Sequence, residues 1–288
     1  MPSYGCRFPA MIADWRSKWQ VGSLGETAAD FPFGFVNLAP WINPNNAPAG
    51  IRWAQSAGYG YVPNPAMPNV FSSISIDLTD NTGSRNTPSF GPVCSAAKSD
   101  QSAKTGSGQT WGKLREKAFC AGPFGSVHIR DKTSVGERLA AAGVGLAYGD
   151  SSSYWQGPTV LSAALEGAEV VITFNNTGEQ GLEVRKQAPT DTAFELCTAT
   201  SAATLASSCN LTMAGHGPVG GGWEKAKVVS STATTVTVAG GKAAAAEAGE
   251  GAVLVRYGWA AVPFQYKAAL IYAKAEAMPA GPFVKKVL

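Results

Sequence analysis

Histidine is scarce in this chain, with only 2 among 288 residues, and none of its 5 cysteines forms a CxxC pair. That pattern excludes a zinc ribbon or a thioredoxin-type centre and leaves little for a metal to hold, so no metal is expected. Charge is sparse too. Charged residues make up 15% of the chain, and 23 Lys+Arg against 20 Asp+Glu leave a formal charge of +3. A nucleic-acid binder would need a dense basic stripe, so no nucleic-acid partner is expected. No uninterrupted apolar run approaches the roughly 18 residues of a membrane span. The start, MPSYGCRFPAMIADW, lacks a charged segment followed by an apolar core and so shows no signal-peptide pattern; the expectation is that the natural start lies upstream. What is abundant is glycine and proline, 33 and 18 residues, which favours a turn-rich, β-containing architecture. With 45% hydrophobic residues the chain can bury a sizeable core.

Periodicity divides the chain in two. FPAMIADWRSKW (8–19) reads as a helix, with Pro9 in its first turn and Ile12, Trp15 and Trp19 at helical spacing. FPFGFVNL (31–38) and FSSISIDL (71–78) read as strands, the first suited to a parallel sheet. IRWAQSAG (51–58) suits a short helix, and the proline-rich YVPNPAMPN (61–69) an extended loop. Residues 81–121, rich in Ser, Thr, Gly and Lys, read as an insertion without a packed core. A helix is predicted from about Thr133 to Tyr148. Ser134 and Glu137 form a capping-box pattern, Val135, Leu139, Ala142 and Leu146 an apolar stripe, and Gly149 a stop. From Gly157 the pattern turns β, in AEVVITFNN, TAFELCTAT, KVVSSTATTVTVAG and GAVLVRYGW; KAAAAEAGE (242–250) suits a turn or two of helix.

The expected fold class is therefore α/β followed by a β-sandwich-like module, with one domain over 1–150 and a second over 157–288. Residues 1–80 supply only about two strands of a parallel sheet, so this half should expose an apolar edge. The cysteines Cys6, Cys94, Cys120, Cys197 and Cys209 allow two disulfides and a free thiol, in a pairing left open by the sequence. Two N-x-[ST] acceptors, at Asn175 and Asn210, stand near Cys197 and Cys209 and tilt the setting toward a secretory or lysosomal compartment.

Several collinear stretches carry a more specific signal. They are YGCRFPAMIADWR (4–16), FPFGFVNL, IRWAQ (51–55), YGYVPNPAMPNVF (59–71), GPFGSVHIRDK (122–132), ERLAAAGVGLAYG (137–149), VRYGWAAVPFQYKAALIY (255–272) and AMPAGPF (277–283). On these the chain resembles the sialate O-acetylesterase family of SGNH-type carbohydrate esterases. The resemblance implies an SGNH, flavodoxin-like parallel-sheet domain, present here as its later portion, and a carboxylic-ester hydrolase acting on acetylated sugars.

Such hydrolysis uses a serine nucleophile, a histidine that takes its proton, and donors for the tetrahedral oxyanion. The resemblance assigns the histidine to His128, directly before the predicted 133–148 helix. Where the family carries its orienting aspartate, this chain has Gly125 and Ser126, and Ile129 replaces the proline that usually follows the histidine. Asp131 reads as a loop or helix-start contact. The family's Gly-Asp-Ser block would precede Tyr4 and is absent from the chain. Gly149-Asp150-Ser151 imitates it but falls after the histidine, at a helix stop, and no G-x-S-x-G elbow occurs. Arg52 and Gln55 match a family segment near the active site, so contact with substrate or catalytic loops stands beside a salt bridge or helix surface as their reading. His216 reads as a loop residue, and the tryptophans as core or interface anchors. Two functions are carried forward: an esterase half-site centred on His128, and a non-catalytic glycan-binding or interaction module built on the β-rich half.

Overall fold

A computed structural model describes residues 2–40, 47–79, 129, 131–150, 154–185, 193–209, 222–242, 251–274 and 277–288. The insertion expected over 81–121, the helix expected over 242–250, His128, Ser151, Asn210 and His216 lie outside these residues.

The first half is a layer of helices around a two-stranded parallel sheet. β1 (Phe33–Val36) pairs in parallel with β2 (Val70–Ser73), Phe33 opposite Val70 and Val36 opposite Ser73. On one face lies α1 (Pro2–Gly22), whose Phe8 and Ile12 pack with Phe33, Phe35, Met67 and Val70. The Phe8 ring meets that of Phe35 edge-on at 5.1 Å. On the other face lies α3 (Lys132–Ala147). The Phe71 ring fills the gap there, over Gly34 and against Gly143, and a Cβ on Gly34 would come within 2.4 Å of that ring. α2 (Ala47–Gln55) packs beside α1.

The helices start earlier than their apolar periods implied. α1 begins at Pro2, so Pro9 is interior rather than a first-turn residue; lacking an N–H, it forgoes its bond to the preceding turn, and its ring crowds the carbonyl there. α3 starts at Lys132, two residues before Ser134, because the N-cap is Asp131, whose carboxylate accepts from the Ser134 amide at 2.9 Å and hydroxyl at 2.7 Å. The proposed Ser134–Glu137 capping box is replaced by this arrangement. β2 stops at Ser73, short of the expected 78, because the chain then turns, with the Leu78 amide bonded to the Ser75 carbonyl.

The second half is antiparallel throughout its described strands. One four-stranded sheet runs β3 (Thr159–Glu166), β4 (Glu169–Asn175), β9 (Thr235–Ala239), β8 (Val228–Ser231). A second runs β13 (Phe283–Val287), β10 (Ala252–Tyr257), β6 (Phe194–Ala199), β7 (Trp223–Ala226). A three-stranded sheet joins β12 (Met278–Pro279), β11 (Ile271–Ala273) and β5 (Leu182–Val184). The short helix α4 (Leu205–Ser208) follows β6. The Leu288 amide reaches the Ala163 carbonyl at 2.9 Å, tying the chain end beside β13 to β3.

β4 buries alternate residues, Val170, Ile172 and Phe174, as period-two patterning requires. These meet Phe194, Tyr257 and Phe283 in one aromatic core, with ring centroids 5.8 Å apart for Phe174–Phe283 and 5.1 Å for Phe194–Tyr257. Burying each such side chain contributes on the order of 2 kcal/mol. Cys197 and Cys209 form a disulfide beneath the fully buried Trp223. Ile76, from the first half, belongs to this main core. The two halves therefore share apolar packing.

Candidate active site

The C-terminal ends of parallel strands are where open α/β sheets bind ligands. Here that edge consists of Asn37, Leu38 and Ala39 after β1 and of Ser75 to Thr79 after β2. Leu78 and Ala39 form a small buried cluster with Ile129, which is 4% exposed. Ile129 is the next residue in sequence after His128, so the chain is anchored at this edge beside the predicted histidine. Two residues on, Asp131 accepts from Ser134, takes a 2.6 Å hydrogen bond from the Tyr266 hydroxyl, and lies 3.4 Å from the Lys267 ammonium. Burial alone would raise its pKa, but the hydrogen bonds from Tyr266 and Ser134 and the charge of Lys267 outweigh it and hold the carboxylate well below its usual range. Asp131 is thus committed to capping α3, as its position in the sequence suggested.

Arg52 is fully buried on α2, and its guanidinium donates to four backbone carbonyls. Nε reaches Leu38 at 2.7 Å, Nη2 reaches Ala39 at 3.1 Å and Ala261 at 2.8 Å, and Nη1 reaches Ala260 at 2.7 Å. Burial lowers its pKa to about 9, which leaves it charged at neutral pH. Gln55, one turn on, uses both ends of its amide: Oε1 accepts from the Leu38 amide at 2.8 Å and from Asn37 Nδ2 at 3.2 Å, while Nε2 donates to the Val36 carbonyl at 3.2 Å. Both hold the backbone that leaves β1, in place of the helix-surface position or salt bridge that was the simpler sequence reading.

Sequence reasoning missed two features of this edge. Asn37 is 4% exposed, and its Oδ1 is, among the described residues, the buried side-chain oxygen without a hydrogen-bond partner. The second is a buried ionic cluster. Asp77, with no exposure, receives two hydrogen bonds from Arg138 at 2.7 and 2.9 Å and a third from the Tyr272 hydroxyl at 2.7 Å. Burial by itself would lower the Arg138 pKa, but the Asp77 hydrogen bonds and charge raise it above the ordinary value. A cleft of ≈ 440 Å³ opens beside this cluster, lined by Ser134, Glu137, Arg138, Arg185, Lys267 and Tyr272 among others. The only advance signal was polar: an Asp and an Arg inside otherwise apolar patterns. No group of three or more potential metal ligands occurs among the described residues, and no helix there is long and apolar enough to cross a membrane.

Comparison with known proteins agrees with this arrangement. Residues 160–287 match the family described as the sialate O-acetylesterase C-terminal domain. Along nearly the whole chain, mouse sialate O-acetylesterase is 29% identical over 287 residues and the human protein 29% over 285. The chain spans 41% of the mouse protein's length and 42% of the human protein's. In fold, a carbohydrate acetylesterase from Xanthomonas citri superposes with a TM-score of 0.58 at 21% identity, covering 98% of this chain and 46% of that one. With the C-terminal domain matched in the β-rich half and the relatives aligned through the α/β half, the chain is similar to sialate O-acetylesterases along nearly its whole length.

Proposed function

We propose that this chain carries the acid–base portion of a carboxylic-ester hydrolase that removes O-acetyl groups from sialic acid or a related acetylated sugar. His128 serves as the general base, taking the proton of a serine hydroxyl as it attacks the ester carbonyl and returning it to the leaving sugar oxygen. That serine comes from outside these residues. The observation that carries the reading is the anchoring of Ile129, next in sequence to His128, against Ala39 and Leu78 at the C-terminal ends of two parallel strands. Arg52 and Gln55 act here as positioning residues, through the backbone that they hold at the end of β1. The strands and helices of 1–150 are read as the later part of an SGNH-type parallel-sheet domain, and 157–288 as its β-rich companion. The chemistry calls for no metal or organic cofactor. A secreted or lysosomal setting is supported by the Cys197–Cys209 disulfide and by an exposed acceptor, Asn175, at the end of β4.

The test is acetate release from an aryl acetate and from an O-acetylated sialic acid. The chain alone should be inactive. An assembly that also contains the serine-bearing block should turn over, and His128→Ala should reduce that rate at least about a hundredfold. Turnover by the chain alone that His128→Ala abolishes would contradict the external serine. Turnover of the assembly that survives the substitution would remove His128 from the mechanism. Binding of an acetylated glycan without turnover in either case would favour a glycan-binding module.

A further inference from the structure

The cleft of ≈ 440 Å³ lies at the seam between the two halves, and its size falls within the roughly 300–1,000 Å³ of small-molecule pockets. One wall is α3, which presents Ser134, Glu137 and Arg138; the other carries Arg185, Lys267 and Tyr272 of the second half. The second wall is firmly held. Tyr272, 1% exposed, donates its hydroxyl to Asp77, and the Arg185 guanidinium lies over its ring at 3.7 Å. Arg185 Nη1 donates to the Lys267 carbonyl at 3.0 Å and Nη2 to Glu183 at 2.9 Å. The Lys267 amide donates in turn to the Asp77 carbonyl at 2.7 Å. Lys267 takes this place with φ 51, and Ala277, which also lines the cleft, has φ 51 as well. A left-handed backbone in a residue with a side chain is held against a preference of about 1–2 kcal/mol.

Two cations thus stand fixed in one wall with donors to spare. Arg185 spends one N–H of each Nη on the bonds above and keeps its Nε–H and the second hydrogen of each Nη. Lys267 is half-exposed, 3.4 Å from Asp131. Burial alone would lower its pKa, but its bond with Tyr266 and the charge of Asp131 raise it, so it stays an ammonium. The carboxylates paired with these cations, Glu183 and Asp131, do not line the cleft. Asp77 does, but it is fully buried and taken up by Arg138 and Tyr272. That leaves Glu137 on the facing wall, exposed and without an ion pair among the described residues.

This pattern selects among ligands. A bare anion such as phosphate satisfies Arg185 and Lys267 but brings like charge toward Glu137. A neutral sugar suits Glu137, whose carboxylate accepts from hydroxyls, and leaves both cations unused. A molecule with a carboxylate at one end and hydroxyls along its length answers both walls, its planar carboxylate matching the planar fork of Arg185. We propose that the cleft binds a sugar acid, with the carboxylate on Arg185 and Lys267 and the hydroxyls on Glu137, at a site that reads the acid group and makes no use of an ester. The inference goes beyond the esterase reading and does not depend on it, since none of these three side chains has a part in that reaction.

Isothermal titration calorimetry of the chain with D-glucuronate, glucose and inorganic phosphate tests this. Glucuronate should bind tightest, with glucose and phosphate each at least about tenfold weaker. Because both halves contribute a wall, glucuronate should also raise the melting temperature, by mass action. Arg185→Gln and Lys267→Gln should each weaken glucuronate about tenfold, and Arg185→Lys should fall between, since it keeps the charge and loses the fork. Glu137→Gln should weaken glucuronate yet tighten phosphate, a change of sign that a general attraction to anions would not give. Circular dichroism establishes that each variant folds, and the selectivity of the native chain decides the matter where one does not. No binding of glucuronate, glucose or phosphate bound as tightly as glucuronate, or a glucuronate affinity indifferent to Arg185→Gln and Lys267→Gln would each overturn the proposal. Binding is read on the chain without the serine-bearing block, so a failure to release acetate in the esterase assay leaves this result standing, and the reverse holds too.

Discussion

Asp131 shows how one carboxylate can be used up by structure. Its oxygens receive the Ser134 amide and hydroxyl and the Tyr266 hydroxyl, and Lys267 stands nearby. Because these partners favour the charged form, the folded pKa lies below the ordinary aspartate value of 3.8. The unfolded chain therefore takes up a proton first as pH falls, so the stabilisation is complete above that value and is lost below it, toward the folded pKa. Asp131→Ala should cost about 1–2 kcal/mol at neutral pH through loss of the N-cap. Asp131→Asn, which can still cap, should cost less, and its deficit should shrink as pH falls below the ordinary aspartate range. Thermal melts from neutral to strongly acid pH measure both, and a deficit for Asn that stays constant with pH would show that the charge is not what matters. The role was readable in advance, since an Asp just before a helical pattern is a cap signal. The partners were not: Tyr266 is 135 residues away, and nothing local in the sequence brings it there.

At the scale of elements, α3 shows what periodicity can and cannot give. Its existence followed from spaced apolar residues and a glycine stop, and Gly149 does adopt φ 69 just past the helix. Its buried residues are instead Ser134, Arg138 and Ala142, of which Ala142 alone lies on the predicted stripe, and Arg138 is tolerated there because Asp77 satisfies its charge. Three glycines inside a helix would ordinarily be a weakness. A Cβ on Gly145 would stand 2.1 Å from the Trp155 indole, and one on Gly143 would touch Phe71 at 3.5 Å, whereas Gly136 has no described atom within 4 Å. Opposite signs follow. Gly136→Ala should stabilise the protein by about 0.5–1 kcal/mol through helix propensity. Gly145→Ala, which gains the same propensity, should be net destabilising by about 1–3 kcal/mol because the indole must move. Chemical denaturation of the two variants decides this, and stabilisation by both would mean that the Trp155 contact carries no cost. The β strands were more legible than the helices, since β4 and β10 are continuous and sit where alternation put them. β2 ended early because its last residues turn to meet other groups: Ser75 donates to the Asn37 carbonyl and Thr79 to that of Phe264.

Across the whole molecule, the sequence separated an α/β half from a β half but was silent on what binds one to the other. The link joins polar ties to the apolar packing of Ile76, between residues too far apart in sequence for local patterning to register. Arg52 ties the end of β1 to the carbonyls of Ala260 and Ala261, 208 and 209 residues away. Tyr272 reaches across to Asp77, and Trp53 meets Trp259 at 6.0 Å. The resemblance of IRWAQ singled Arg52 out with its role left open; the fold shows it as a clamp on the end of β1. If so, Arg52→Ala removes four hydrogen bonds made by a fully buried guanidinium and should cost about 3–5 kcal/mol, a large part of the 5–15 kcal/mol that holds a typical domain together. Arg52→Lys should recover only part of that, because an ammonium cannot match the planar fork that serves four acceptors in two directions. Calorimetry should show one transition for the native chain, since Ile76 shares the main core. In Arg52→Ala the melt should move down in temperature and the Trp53–Trp259 fluorescence should change first, because the contact nearest the clamp loosens before the β core does. Two well-separated transitions in the native chain would mean that the halves fold independently. An Arg52→Ala variant within about 1 kcal/mol of native would mean that water replaces the guanidinium at those carbonyls without penalty, and the clamp would then be no more than a convenience of the fold.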